Sequence, residues 1–195
     1  MIAGGAPQEF TYPYMSYFGV NQSCMLGQPP AQPFARLSQH VHLPSNQQLP
    51  VLQHLSEVGP LSGVVDAGAW GSYETGVFQG CSVNATIDHG IQIVGYGFDA
   101  ATQLDYWLIR NSWNPRWGEE GAFSFLFVPA SVWLAQMWTT GYIRILRTAS
   151  PTCGWDNNPL DGSGCPGGPS RVPICGECAV LYSPSYAIVT AAATN

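Results

Sequence analysis

The sequence predicts a β-rich fold: an antiparallel, barrel-like sheet accompanied by one short helix. Three observations predict it. Runs of β-branched and aromatic residues bounded by Gly, Asn or Asp recur at 61–66, 89–98, 104–110 and 142–147. No stretch alternates such runs with long helices, which disfavours a parallel doubly wound sheet. A hydrophobic content of 46% over 195 residues is enough for one packed core.

Taken in chain order, the first 60 residues are rich in Pro, Gln and aromatics and show little periodicity. Tyr12-Pro13-Tyr14 and the stretch 28–33 read as extended or turn structure. Between Pro44 and Gly59 a short helix is expected, capped by Ser45 or Asn46, with Leu49, Leu52 and Leu55 on one face. Pro50 belongs in its first turn and Gly59-Pro60 supplies the stop. After the third strand, residues 122–138 (AFSFLFVPASVWLAQMW) are almost wholly apolar, but short for a membrane span and interrupted by Pro129 and Gln136. Residues 149–177 hold three cysteines among many Gly and Pro and read as a disulfide-pinned loop insertion. The whole is expected to be one partial domain, 1–195.

Composition narrows the function. Charged residues make up 9% of the chain, the net charge is −6, and all six basic residues are Arg with no basic patch. Phosphate binding needs clustered cations, so nucleic acid is not an expected partner, and neither is a membrane. Six cysteines, together with the acceptor sequons Asn21-Gln22-Ser23 and Asn84-Ala85-Thr86, point to an oxidising, secretory route. The first ten residues hold neither a basic stretch nor an apolar run of signal length, so Met1 is expected not to be the true start.

Chemistry is concentrated between Cys81 and Gly121, in DHGIQIVGYGF (88–98), YWLIRNSW (106–113) and WGEEG (117–121). An imidazole can take the proton of a thiol and hold the thiolate, and an amide oxygen can orient that imidazole. A histidine opening an apolar strand and an asparagine 22 residues later fit those two roles. These motifs, with GPLSGVVDAGA (59–69), YETGVFQGC (73–81), GYIRILR (141–147) and CAVLYSPSY (178–186), resemble in their order the papain (C1) family of cysteine peptidases over roughly residues 10–186. The resemblance implies an α+β family fold, of which this chain would be mainly the β-rich lobe. It implies His89 as the base and later acid, Asn111 as its orienting partner and Trp113 as the cover of their hydrogen bond. Val64 and Gly90, with a residue near Pro184, would line the pocket for a bulky apolar substrate side chain. The substrate would be a peptide or protein, no cofactor or metal would be needed, and the setting would be lysosomal, vacuolar or extracellular.

By the same resemblance Cys81 and Cys178 form a disulfide, and Cys24 seeks a partner in a part of the enzyme not present here. Cys153, Cys165 and Cys175 fall outside the family pattern; a zinc site built from these three and Cys178 stands as the alternative. The nucleophile signature C-G-[SA]-C-[WY] does not occur, and only 88 residues precede His89, where the family spaces the two by about 130 to 150. The chain is therefore expected to be a fragment lacking the nucleophile, the oxyanion-hole glutamine and the N-terminal lobe, and inactive alone. Removing 122–141 joins WGEEG to YIRILR in an uninterrupted family-like segment, so these residues are expected to be an intron-derived or spurious insertion. Two other functions stay open: a protease-like binding protein without catalysis, and a disulfide-rich structural or adhesive module in 149–195.

Overall fold

A computed structural model describes residues 6–13, 15, 20, 23–25, 35–113, 117–119 and 141–191. The chain divides into two units, residues 1–41 with 186–195, and residues 42–185. In the first, strand β1 (Ala35–His42) neighbours β9 (Ser185–Ala191), and the Ser38 hydroxyl donates to the Ile188 carbonyl at 3.0 Å. Ala6 and Ala35 form an antiparallel bridge there.

The second unit carries the remaining elements. Helix α1 (Gln48–Glu57) is followed by β2 (Leu61–Val65), β3 (Val77–Phe78), β4 (His89–Asp99), β5 (Leu104–Arg110), β6 (Tyr142–Leu146), β7 (Cys153–Asp156) and β8 (Val172–Cys175). The large strands run in the spatial order β2, β4, β5, β6, β3, while β7 and β8 form a separate hairpin. All the long neighbours are antiparallel, and β4 and β5 are joined by a short turn. The short β3 pairs with β6 in parallel, so the sheet is mixed rather than wholly antiparallel. Its sequence, Val-Phe between Gly76 and Gln79, is too short to announce a strand or its direction.

Alternation along the strands builds the core. Leu61, Val65, Ile93, Trp107, Ile109, Ile143 and Ile145 are fully or almost fully buried, and those that share a strand lie two or four residues apart, as a period of two requires. Burying such side chains contributes about 1.5–3 kcal/mol apiece. One irregularity, a bulge between Ile93 and Gly95, shifts the β4–β5 register by one.

Helix α1 lies within the expected span but differs in two respects. Its N-cap is Gln47, with no side-chain cap. Asn46 instead adopts positive φ (60°) and donates its Nδ2 to the Pro173 carbonyl at 2.9 Å, so it serves tertiary contact rather than the helix end. The inward stripe is Val51 and His54, while Leu49 is 63% exposed and Leu52 and Leu55 are half-buried. The helix packs on β2 and β4, and that docking direction decides which turn of the helix faces inward. Burial lowers the pKa of His54 from its ordinary value.

The 149–177 stretch is a loop pinned by a disulfide, and its two ends pair as a short hairpin, which the sequence does not announce. Its outermost ladder pair, Cys153 and Cys175, is a disulfide. Pro173 is tolerated because β8, one of two strands in its ribbon, is an edge strand. A second disulfide joins Cys81 to Cys178. Three of the four sulfurs of the zinc alternative are therefore consumed in disulfides, and Cys165 is exposed and free, as is Cys24.

A polar cluster ties the far edge of the sheet together. Arg144 on β6 reaches Glu119 Oε1 with Nε at 2.9 Å and Asp99 with its Nη1. Tyr73 Oη lies 2.6 Å from the same Glu119 oxygen, and the Gly76 N–H donates to that oxygen at 2.9 Å. Burial alone would raise the Glu119 pKa, but the hydrogen bonds from Tyr73 and Arg144, the arginine charge and the Gly76 amide together hold it below the usual 4.5. A carboxylate with a lowered folded pKa stabilises the fold fully above its unfolded value and loses that contribution as pH falls through the folded one. Denaturant midpoints should therefore be insensitive to this group above about pH 5 and drop below 4.5, and Glu119→Gln should flatten that acid drop. An unchanged acid loss in Glu119→Gln would refute the assignment.

Candidate active site

His89 opens β4, directly across from Val65 on β2. Asn111 follows the last residue of β5, and its N–H continues the β5–β6 pairing by donating to the Gly141 carbonyl at 2.9 Å. The β4–β5 register pairs Gln92 with Arg110. Carried outward, it sets His89 across from Trp113 and makes Asn111 its diagonal neighbour on the same face. Two residues 22 apart in sequence thereby meet: His89 Nε2 and Asn111 Oδ1 are 2.8 Å apart.

The protonation pattern of this pair follows from a third group. The Ser112 backbone N–H donates to Asn111 Oδ1 at 2.7 Å. A backbone amide can only donate, so the atom it meets must be the oxygen, and the orientation of the Asn111 amide is settled. That oxygen can only accept, so His89 must present N–H at Nε2. The neutral imidazole then carries its lone pair on Nδ1, the atom free to receive a proton. Asn111 is 8% exposed, and its buried Nδ2 has no hydrogen-bond partner among the described residues.

Aromatic rings enclose one side of the pair. The Trp113 ring centre lies 5.1 Å from that of His89, tilted by 45°, while Trp113 itself remains 41% exposed. Trp117 meets Trp113 edge-on at 4.9 Å and stacks on the buried Trp70 at 6.2 Å. Trp117 Nε1 donates to the Trp70 carbonyl at 3.1 Å, and Trp70 Nε1 to Cys178 Sγ at 3.4 Å. A continuous path of contacts thus runs from the Cys81–Cys178 disulfide to the imidazole. Excluding water from one side of a hydrogen bond strengthens it.

Of the lining residues read from the sequence, Val64 and Gly90 are cross-strand partners on β2 and β4. A side chain at Gly90 would meet open space, and Val64 is half-buried, so this part of the surface is shallow and partly apolar. Pro184 is buried one residue before Ser185, the partner of Ser62, and its carbonyl accepts the Leu43 N–H at 2.9 Å; it enters no ladder with Val64 or Gly90. A cavity of about 60 Å³ lies elsewhere, against Arg147, Glu177 and the Cys81–Cys178 disulfide. His89, Asn111 and Trp113 do not line it.

A model of the family described as papain family cysteine protease matches residues 1–128.

The chain belongs to the papain family of cysteine proteases.

Cysteine protease 1 of Oryza sativa subsp. japonica is 40% identical over 121 residues, 60% of this chain and 23% of that protein. Human cathepsin L2 is 32% identical over 124 residues, 60% of this chain and 35% of that one. This papain-family chain thus spans about a quarter to a third of the length of such curated relatives. Among solved structures, bromelain from Ananas comosus in complex with the E64 inhibitor aligns with a TM-score of 0.63 at 23% identity. That alignment covers 95% of this chain and 64% of bromelain, which establishes a shared fold. Digestive procathepsin L2 proteinase of Tenebrio molitor aligns at 0.61 and 26%, over 95% of this chain and 43% of that one.

Beyond the matched stretch, the hairpin of this papain-family chain grips the loop that delivers His89. Asp156, 1% exposed, accepts the Ile87 N–H at 3.0 Å with one oxygen and the Asn158 N–H at 3.0 Å with the other. Ser163 donates both its N–H and its hydroxyl to the Ile87 carbonyl, at 2.8 and 3.0 Å. Gly154 backs onto Val83 so closely that a Cβ would overlap the Val83 carbonyl. Asp88 adds a further tie, accepting the Ala67 N–H at 3.0 Å. The sequence offers no signal for Asp156, an isolated acid in a Gly- and Pro-rich stretch. Trp117 lies inside the WGEEG motif, but only packing assigns it its neighbours Trp70 and Trp113.

Two outcomes are expected. The ¹⁵N spectrum of His89 in the neutral protein should show the Nε2–H tautomer, and Asn111→Ala should erase that preference; an Nδ1–H form in the parent chain would contradict the orientation argument. Asp156→Ala leaves two donors without acceptors, at about 1–3 kcal/mol each if both stay buried. It should speed hydrogen exchange at the Ile87 amide and shift the His89 ring signals, with Asp156→Asn intermediate; unmoved ring signals would show that the hairpin does not hold the histidine.

Proposed function

We propose that this chain is the histidine- and asparagine-bearing part of a cysteine peptidase that hydrolyses peptide bonds through a Cys-His-Asn triad. The observation that carries the reading is the Ser112–Asn111–His89 arrangement, which leaves Nδ1 as the proton acceptor. A thiol placed at Nδ1 would give its proton to the ring, and the thiolate would attack the substrate carbonyl. The imidazolium, stabilised through Nε2–H by the Asn111 oxygen, would return the proton to the departing amine, leaving a thioester for water to hydrolyse. Trp113 would shield the His89–Asn111 bond throughout. Val64 and Gly90 would form the edge of an apolar substrate pocket, with Pro184 or an adjacent residue further in. Two disulfides support an oxidising compartment, in keeping with lysosomal, vacuolar or extracellular work.

The thiol and the oxyanion-hole donor would come from an N-terminal lobe, since no C-G-[SA]-C-[WY] string occurs in the 195 residues. The purified chain should therefore show no thiol-dependent cleavage of a fluorogenic peptide. Cleavage that disappears in His89→Ala would overturn the fragment reading while leaving the histidine its role. The missing signature equally favours a second reading, a non-catalytic protein that holds a peptide or partner on the same surface; tight peptide binding by the isolated chain would favour it.

The apolar stretch is proposed to be dispensable. Residues 122–140 lie outside the described residues, but the segment's flanks are held together: the Glu119 N–H donates to the Tyr142 carbonyl at 2.9 Å. Gly141 sits at φ 98°, a conformation that favours glycine, and excising 122–141 would place Gly121 in the same position before Tyr142. A chain lacking 122–141 should fold with equal or higher thermal stability. Loss of cooperative unfolding in that deletion, or a spliced message that retains the segment in frame, would argue for a genuine element.

A further inference from the structure

We propose that Asn84 carries an N-linked oligosaccharide, presented from the loop that the Cys153–Cys175 hairpin clamps. The sequon Asn84-Ala85-Thr86 is one of two in the chain, and Asn21 of the other lies outside the described residues. Three structural observations single out Asn84. It is exposed, and its neighbours on either side of the attachment point are oppositely placed: Val83 is 53% exposed, while Ala85 is buried in a cluster with Ile87, Val172, Ile174 and Ala179. The core thus anchors the loop at alternate residues and leaves the asparagine outside.

The second observation concerns the amide itself. Asn84 Oδ1 accepts the Trp155 N–H at 3.0 Å, which directs the oxygen toward the hairpin. Nδ2 makes no hydrogen bond among the described residues. An N-linked sugar leaves Oδ1 untouched and keeps one hydrogen on the nitrogen, so the modified side chain retains the only bond that the folded protein asks of it. The third is the surroundings. The Trp155 indole is 38% exposed, and one face carries the Arg171 guanidinium at 4.0 Å from the ring centre. A glycan rooted at Asn84 would overhang Val83 and Trp155, two apolar groups otherwise left in water, and a bulky hydrated group at that point covers rather than disrupts the surface.

The reaction is glycosyl transfer. Asn84 Nδ2 forms a bond to C1 of the reducing-end sugar of a lipid-pyrophosphate-linked oligosaccharide. The bond from C1 to the pyrophosphate oxygen breaks, the lipid pyrophosphate departs, and the amide gives up one proton. No oxidation state changes. The transferase belongs to the secretory pathway, the same oxidising route that two disulfides require.

The full 195-residue chain, produced behind a cleavable secretory leader in a eukaryotic host, provides the test. Peptide mapping of both the membrane-enclosed and the secreted fractions should find most of the Asn84 peptide glycosylated, with Asn converted to Asp on release by peptide N-glycosidase. Thr86→Ala removes the acceptor motif and leaves Asn84 and its bond to Trp155 in place; it should abolish the modification, and Thr86→Ser should restore it. Reading the membrane-enclosed fraction keeps the test valid for a variant that fails export. An Asn84 peptide that is mainly unmodified in both fractions, or an adduct that survives Thr86→Ala, would overturn the proposal.

Discussion

The antiparallel ladder between β4 and β5 is the constraint on which the rest depends. Its register pairs Gln92 with Arg110 and thereby puts His89 and Asn111 on one face at diagonal positions. A slip of one residue would send the two side chains to opposite faces of the sheet, because a strand alternates with period two. The same slip would turn one strand's isoleucines, Ile91 and Ile93 on β4 or Ile109 on β5, from core to solvent, so the hydrophobic interior enforces the His89–Asn111 geometry. Chemistry and stability are coupled here through a single set of pairings.

What surrounds the histidine is a sequence of supports acting from different directions. Ser112 and Asn111 fix which ring nitrogen bears hydrogen. The three tryptophans connect the ring to the Cys81–Cys178 disulfide. From the other side, Asp156 and Ser163 hold Ile87 by its backbone, two residues before the ring. A buried carboxylate that accepts two backbone amides resists displacement more than a neutral acceptor, since charge-assisted hydrogen bonds are about twice as strong as neutral ones. The Cys-rich hairpin therefore acts as a brace for the histidine loop, not as ornament on the family fold. The ion-paired cluster around Glu119 does similar work at the opposite edge, joining the segment after Asn111 to β6.

The long strands were legible because each is a run of β-branched and aromatic residues whose burial is set by its own alternation; β2, β4, β5 and β6 begin where the sequence places them and end within one residue of it. The histidine–asparagine pair was legible through motif resemblance. The hairpin was not: Cys153–Asp156 and Val172–Cys175 are four residues each, set among glycines, and neither has a periodic signature long enough to stand out. The helix face was misjudged for a related reason. Leu49, Leu52 and Leu55 form a plausible stripe, but Val51 and His54 form another, and only the position of the sheet chooses between them.

The sequence by itself determined the long strands and their apolar alternation, which depend on residues close together in the chain, and, through motif resemblance, the histidine–asparagine pair and the Cys81–Cys178 disulfide. Tertiary structure alone decided which nitrogen of His89 is free, which acid braces its loop and that Cys153 pairs with Cys175. Those outcomes hinge on contacts between residues distant in the chain, such as Ile87 with Asp156 at a separation of 69 and Cys153 with Cys175 at 22. No local pattern encodes a meeting at such range; it exists only once the whole core has closed around it.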